Sequence, residues 1–194
     1  KAARRGIRFV DLLDTSFADN AAAIAEEKNF YLTHFFKQDP IYIKEMTERY
    51  HRHRDRLAPY VADISVIIDD ALRAGRKVLF EGAQGTHLDI DHGTYPYVTS
   101  SSTVSGNACC GSGVGPKKID KIIGIVKAYT TRVGMGHFPT ELFDETGDFI
   151  QKKGAEFGAT TGRKRRCGWI DVVMLKNAAR LNALTGLAVT KLDV

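Results

Sequence analysis

The chain is predicted to be α/β: a segment of a largely parallel sheet flanked by helices, preceded by a helical subdomain. Two observations predict it. Through residues 1–75, apolar side chains recur at three- and four-residue spacing between charges, the repeat of helices that pack on one face. Through residues 76–194, short apolar runs alternate with helical patterns, the order expected of strands joined by helices. Gly75 marks the expected boundary between the two parts.

The elements follow in order. TSFADNAAAIAEE opens on a Thr/Ser cap candidate and continues in strong helix formers. PIYIKEMTERYHRHRDR sets Ile43, Met46 and Tyr50 at helical spacing. From Pro59, the residues Val61, Ile64, Ile67, Ile68, Ala71 and Leu72 form one stripe, predicting a helix that Gly75 ends. KVLFEG reads as a buried strand entering a long polar loop, roughly residues 82–115. PKKIDKIIGIVKA carries Pro116 at a first-turn position and predicts a helix. AYTTRV predicts a strand, and ETGDFIQKKG a short helix with a glycine stop. WIDVVMLKNAARLNALTG places Ile170, Val173, Met174, Ala178, Leu181 and Leu184 on one helical face, with a stop at Gly186. LAVTKLD predicts a second buried strand. Ligands of such sheets sit in loops beyond strand C-termini, where EGAQG and TKLD are expected.

Composition narrows the classes. Hydrophobic residues make up 43% and charged residues 26%, ordinary for a soluble globular chain. No run of eighteen apolar residues exists to cross a membrane as a helix. KAARRGIRFV has neither a signal-peptide core nor an initiator methionine, so the chain is expected to begin inside a longer protein. A net charge of +5 allows a phosphate or nucleic-acid partner without requiring one. Cys109, Cys110 and Cys167 are odd in number, without zinc-site spacing, which points to a reducing, cytoplasmic compartment.

Several stretches could carry chemistry. In TKLD, one carboxylate, Asp193, could accept the adjacent N1–H and NH2 of a guanine, with the Lys191 stem along the purine face. Those four letters alone favour a strand end followed by solvated charges. In EGAQG, glycines flank Gln84, whose amide can donate to a carbonyl or oxyanion. The hydroxyl run Thr99 to Thr103 could line phosphate oxygens. Asp89, Asp91 and Gly93 do not make a calcium loop, since the twelfth position is Ser100. His92 fits a structural hydrogen-bonder at least as well as an acid or base. GSGVGPKK could hold an anion at a helix N-terminus, or be a tight turn. Arg4 and Arg5 read as surface charges.

ATTGRKRRCGW, residues 159–169, concentrates Arg163, Lys164, Arg165 and Arg166 after two threonines and a glycine. Arginine forks match carboxylates and phosphates, and hydroxyls with free N–H groups complete an anion cradle. A solvated basic loop and a nucleic-acid-binding module are the alternatives. The tight cluster after TTG leans towards a small anion.

FEGAQGTHLDIDHGTYPYVTSS, TTRVGMGHFPTEL, GATTGRKRRCGW and TKLD, in that order, resemble adenylosuccinate synthetases, and the resemblance runs from KAARRG to the last residue. It implies a ligase of purine biosynthesis on the branch from IMP to AMP. GTP phosphorylates the 6-oxygen of IMP with Mg2+ present; the amino group of L-aspartate then displaces phosphate, giving adenylosuccinate and GDP. Residues 76–194 would be part of the nucleotide- and substrate-binding core.

By that resemblance Gln84 contacts the hypoxanthine and supports its 6-oxyanion, and Thr99 meets the IMP 5′-phosphate. Arg4 reaches the IMP of a neighbouring subunit, implying a homodimer. Ala159, Thr160, Thr161, Gly162, Arg163, Lys164 and Arg165 form the aspartate-binding loop. Thr160, Thr161, Arg163 and Arg165 meet its carboxylates, Arg163 also touches IMP, and Arg165 also serves GTP. Lys191, Leu192 and Asp193 form the guanine site. Lys164 and Arg166 have no assigned contact, and a solvated place for them stays open. The family's phosphate loop, catalytic aspartate base and catalytic histidine lie N-terminal to the matched stretch, as does a first TTG loop; the Mg2+ ligands are expected outside this segment, and a C-terminal part closes the guanine pocket. The 194 residues by themselves are therefore expected to be inactive, with no catalytic residue and no metal ligand of their own.

Overall fold

The computed structural model describes residues 4–158 and 162–194. Contacts divide the chain into two compact units, meeting in sequence between Asp63 and Ile64.

In the first unit, a 3-10 turn at Val10–Leu13 precedes α1 (Phe17–His34) and α2 (Ile43–Leu57). Both helices follow the periodicity of the sequence. Leu12, Phe17 and Ala21 are buried together, and Met46 and Leu57 of α2 pack against them. The Phe17 and Tyr50 rings meet edge to face at 5.8 Å. Ser16 caps α1 without a side-chain bond to its backbone; its hydroxyl instead accepts from Asn20.

The second unit begins with α3 (Ile64–Arg73), which Gly75 follows at φ 72°. The predicted start at Pro59 is corrected: Ala58–Tyr60 is a separate 3-10 turn, and the α-helix begins five residues later. α4 (Asn107–Ser112) lies inside the long loop, as does a 3-10 turn at Thr86–Leu88. β1 (Ile123–Lys127), β2 (Tyr129–Arg132), α5 (Glu145–Lys153), β3 (Arg166–Trp169), α6 (Val172–Asn182) and β4 (Gly186–Thr190) complete it.

β1 and β4 pair in parallel, with Lys127 opposite Thr190; β2 and β3 pair antiparallel, with Tyr129 opposite Trp169. β1 and β2 form one extended run that changes partner at Ala128, whose N–H donates to the Thr190 carbonyl at 2.9 Å. Tyr129, Ile150 and Cys167 form the buried core of this unit, joined by Leu142 and Val194. The Asp144 carboxylate caps α5 by accepting from Thr146 and Gly147, and Asp171 caps α6 by accepting from Met174.

Four expectations are corrected here. KVLFEG makes no ladder among the described residues; Val78 and Phe80 are half-buried but Leu79 is 91% exposed. A strand is defined by a partner's hydrogen bonds, which an apolar run cannot supply alone. PKKIDKIIGIVKA is a 3-10 turn and then β1, not a helix. Its β-branched isoleucines and valine fit a strand, and a Cβ on Gly124 would lie 2.5 Å from Leu184 Cδ1, so glycine permits the close packing. α6 stops at Ala183 in the left-handed region, φ 50°, three residues before Gly186, which instead opens β4. β4 forms as expected but is not buried: Leu187 and Val189 are each 45% exposed. A parallel pair is buried only where helices cover both of its faces.

Candidate functional site

The basic stretch is carried on a hairpin stem. The Arg165 N–H donates to the Glu156 carbonyl at 3.0 Å, Phe157 bridges to Lys164, and the Gly158 N–H donates to the Arg163 carbonyl at 2.8 Å. Side chains alternate along such a stem, so Arg163 and Arg165 share one side and Lys164 takes the other. Gly162, at φ 63°, donates its N–H to the Gly158 carbonyl at 2.8 Å. Ala159, Thr160 and Thr161 lie outside the described residues.

Glu156 lies beneath this stem, 2% exposed. Its Oε1 accepts from Lys127 Nζ at 2.7 Å and from the Tyr129 hydroxyl at 2.6 Å; its Oε2 accepts from Arg165 Nη1 at 2.8 Å. Burial opposes the carboxylate's charge, but the bonds from Lys127, Tyr129 and Arg165 outweigh it and hold its pKa below the ordinary value. The same burial, with Glu156 alongside, raises the Tyr129 hydroxyl and the Cys167 thiol, so both stay neutral. The amide of Gln151 donates to the Glu156 carbonyl at 3.0 Å, fixing the backbone as well.

Arg166, which the sequence leaves unassigned, is engaged within the fold. Its guanidinium forks onto both oxygens of Glu141 and donates to the Gly134 and Gly136 carbonyls at 3.0 Å. The Arg166 fork lowers the pKa of Glu141. Arg166 begins β3 and pairs there with Arg132 of β2.

The TKLD turn follows β4 directly, as expected of a strand-end loop. Lys191, at φ 59°, donates its ammonium to the Gly154 carbonyl at 2.8 Å, while Leu192 and Asp193 are exposed. A Cβ at Gly154 would run into the Tyr129 hydroxyl. Arg165 and Lys191 are thus tied to the same short segment, Gly154–Glu156.

The long loop is organised separately. Asp89, 1% exposed, accepts from the N–H groups of Asp91, His92, Thr103 and Val104. Burial opposes ionisation, yet these four donors hold its carboxyl at about 2. Asp89 therefore shapes the loop from within rather than binding a cation. Asn182 of α6, also buried, accepts from the Ser105 N–H at 2.7 Å and donates to Thr86 and the Ala178 carbonyl, fastening the loop to the helix. Gln84 has φ 68°, uncommon without a Cβ-free residue, and its Oε1 accepts from Ser101 at 3.4 Å. That bond turns the amide NH2 away from Ser101. Thr99 is half-buried, with its N–H on the Leu88 carbonyl at 2.8 Å. Arg132 reaches from β2 to Thr94 and the Tyr97 carbonyl.

GSGVGPKK does not run into an α-helix: its first two residues, Gly111 and Ser112, end α4, and its last three form a 3-10 turn, Pro116–Lys118. Lys118 pairs with Asp69, which also meets Arg73, along an open groove of about 400 Å³ between α3 and this turn. Its cations are engaged by a carboxylate, against an anion site. Arg4 belongs to the first unit and is exposed, with φ 54°. Among the described residues no group of three His, Cys, Asp or Glu side chains could hold a metal ion. Among the described residues no helix is long and apolar enough to cross a membrane.

Glu156, Asn182 and Glu141 were not singled out from sequence. One signal existed: Lys127, Tyr129 and Thr131 repeat at period two in an apolar run, and Lys127 Nζ also donates to Thr131 at 3.0 Å. Three polar groups on one face of a buried strand imply a polar partner.

An arginine-bearing hairpin and a strand-end lysine hung on one buried carboxylate segment define an α/β chain built to present cations from its loops. The family model described as Adenylosuccinate synthetase matches residues 1–194, and the chain belongs to the adenylosuccinate synthetase family. It is 67% identical to the adenylosuccinate synthetase of Desulforapulum autotrophicum and 64% to that of Desulfatibacillum aliphaticivorans. Each match covers 100% of this chain but only 46% and 45% of the relative. The fully ligated adenylosuccinate synthetase of Plasmodium falciparum superposes with a TM-score of 0.89 at 36% identity, over 99% of this chain and 45% of that one. The chain thus spans about half the length of the relatives it matches.

Proposed function

We propose that the chain is the part of an adenylosuccinate synthetase that supplies contacts to IMP, L-aspartate and GTP, in a cytoplasmic enzyme of purine biosynthesis. The observation that carries this is the hairpin stem that sets Arg163 and Arg165 on one side, in a chain whose whole length matches the family.

In this reading GTP phosphorylates the 6-oxygen of IMP, and the aspartate amino group attacks C6 and expels phosphate. Phosphorylation converts a poor oxygen leaving group into a good one. Gln84 donates its amide N–H to the 6-oxygen as negative charge develops there. Thr99 hydrogen-bonds the IMP 5′-phosphate. Residues 159–165 bind aspartate: Arg163 and Arg165, with Thr160 and Thr161, take its carboxylates, Arg163 also touches IMP, and Arg165 also serves GTP. Lys164, on the opposite side of the stem, makes a smaller contribution. Asp193 accepts both guanine donors, and the Lys191 stem, held by its ammonium on Gly154, lies along the base. Leu192, exposed between them, borders the same pocket. Arg4 serves the IMP site of a second copy in a homodimer. Mg2+ would neutralise phosphate charge during transfer; the family resemblance puts its ligands outside this segment, and the aspartate base and the histidine N-terminal to it.

Turnover assays test this. A full-length protein carrying this segment should form adenylosuccinate from IMP, aspartate and GTP, while the 194 residues alone should not. Salt-sensitive binding of DNA or RNA that IMP and GTP fail to compete would favour the nucleic-acid-binding module instead. Against that module, Arg165 and Arg166 are both held by carboxylates.

A further inference from the structure

We propose that Glu156 is a positioning residue for Arg165, fixing where the aspartate-binding loop presents its guanidinium. The proposal rests on the reading of residues 159–165 as that loop.

Three features carry it. Arg165 is held by Glu156 through both backbone and side chain, so the hairpin register and the guanidinium position share one anchor. The anchor is itself fixed: Lys127 and Tyr129 occupy Oε1, which leaves Oε2 directed at Arg165. Finally, Lys127 and Arg165 bring two positive charges to one carboxylate. Glu156 therefore orients Arg165 without neutralising the cluster, and a guanidinium has five N–H donors, of which this side-chain bond uses one. An anionic substrate would meet a cation already oriented, at little cost in ordering.

The experiment is steady-state kinetics on the full-length protein, varying aspartate, IMP and GTP in turn. Glu156→Gln should raise the aspartate KM about tenfold and leave the IMP KM within about twofold, because one of its two acceptor oxygens becomes a donor and its charge is lost. Adding Glu156→Gln to Arg165→Leu should raise the aspartate KM no further, as expected of a residue acting through another. Glu156→Asp should recover part of the loss. An unchanged aspartate KM in a folded Glu156→Gln protein overturns the proposal, as do equal rises in all three KM values or full multiplicativity with Arg165→Leu. If Glu156→Gln does not fold, Tyr129→Phe removes one bond to the same carboxylate and keeps its charge. It should raise the aspartate KM about two- to threefold, and no change there overturns the proposal. Lack of adenylosuccinate formation by the unsubstituted protein overturns the functional reading, and this proposal with it. Normal turnover there, with an indifferent Glu156→Gln, overturns this proposal alone.

Discussion

Arg165 and Glu156 meet twice, N–H to carbonyl at 3.0 Å and Nη1 to Oε2 at 2.8 Å. The neighbouring Arg166 turns instead to Glu141 and to two glycine carbonyls. Adjacent arginines of one basic run therefore have different work, and substitution should separate them.

Arg163→Leu and Arg165→Leu should each raise the aspartate KM of the full-length enzyme about tenfold or more, and Arg165→Leu should also lower stability because it leaves Oε2 of the buried Glu156 without its donor. Arg166→Leu should act on stability alone and leave the aspartate KM nearly unchanged. It leaves Glu141, whose side chain is 10% exposed, without its partner, at a cost of about 2 kcal/mol in thermal unfolding. Equal effects of all three on aspartate KM would return the run to a general electrostatic role.

Asp89 makes stability depend on acid in one direction. Its folded-state carboxyl sits at about 2 against an ordinary 3.8, so its contribution is complete above the ordinary value and is lost as pH falls from there through about 2. Asp89→Asn should lower the urea midpoint at neutral pH, and the gap from the unsubstituted protein should narrow between about pH 4 and 2. A gap that stays constant with pH would show that the charge is not what the four N–H groups require.

Asn182→Ala removes the bonds that tie Thr86 and Ser105 to α6. The expected cost is about 2 kcal/mol. Amide exchange should quicken across residues 86–105 more than in β2 or β3; uniform quickening would mean that Asn182 serves the whole unit rather than the loop.

Gly124→Ala should destabilise by about 1–3 kcal/mol through overpacking against Leu184, and Leu184→Ala in the same chain should recover part of that loss. Strict additivity of the two changes in a melting experiment would rule out the contact as the cause.

Asp193→Asn replaces one acceptor oxygen with a donor facing guanine donors. The GTP KM should rise at least about tenfold, with the IMP KM little changed. A change confined to IMP would move Asp193 out of the guanine pocket.

Much of this was legible in the sequence. α1, α2 and α5 follow from periodicity and end signals that act within a few residues. Family membership was legible too, because motif order survives in the linear chain. What failed was whatever needed a partner. KVLFEG is apolar enough for a strand but has no ladder among the described residues, and IIGIVK suits helix or strand until β4 lies beside it.

The sequence by itself determined which cations and hydroxyls the loops carry, and the local periodicity that builds the helices. Only the tertiary structure decided that Glu156, one acid in an unremarked AEF, would be buried under Lys127, Tyr129 and Arg165. It also decided that Arg166 would leave solvent for Glu141. The physical reason is that propensity and capping act over a few residues. The cost of burying a charge is instead settled by donors 9 to 29 positions away, and only folding sets them within hydrogen-bond reach.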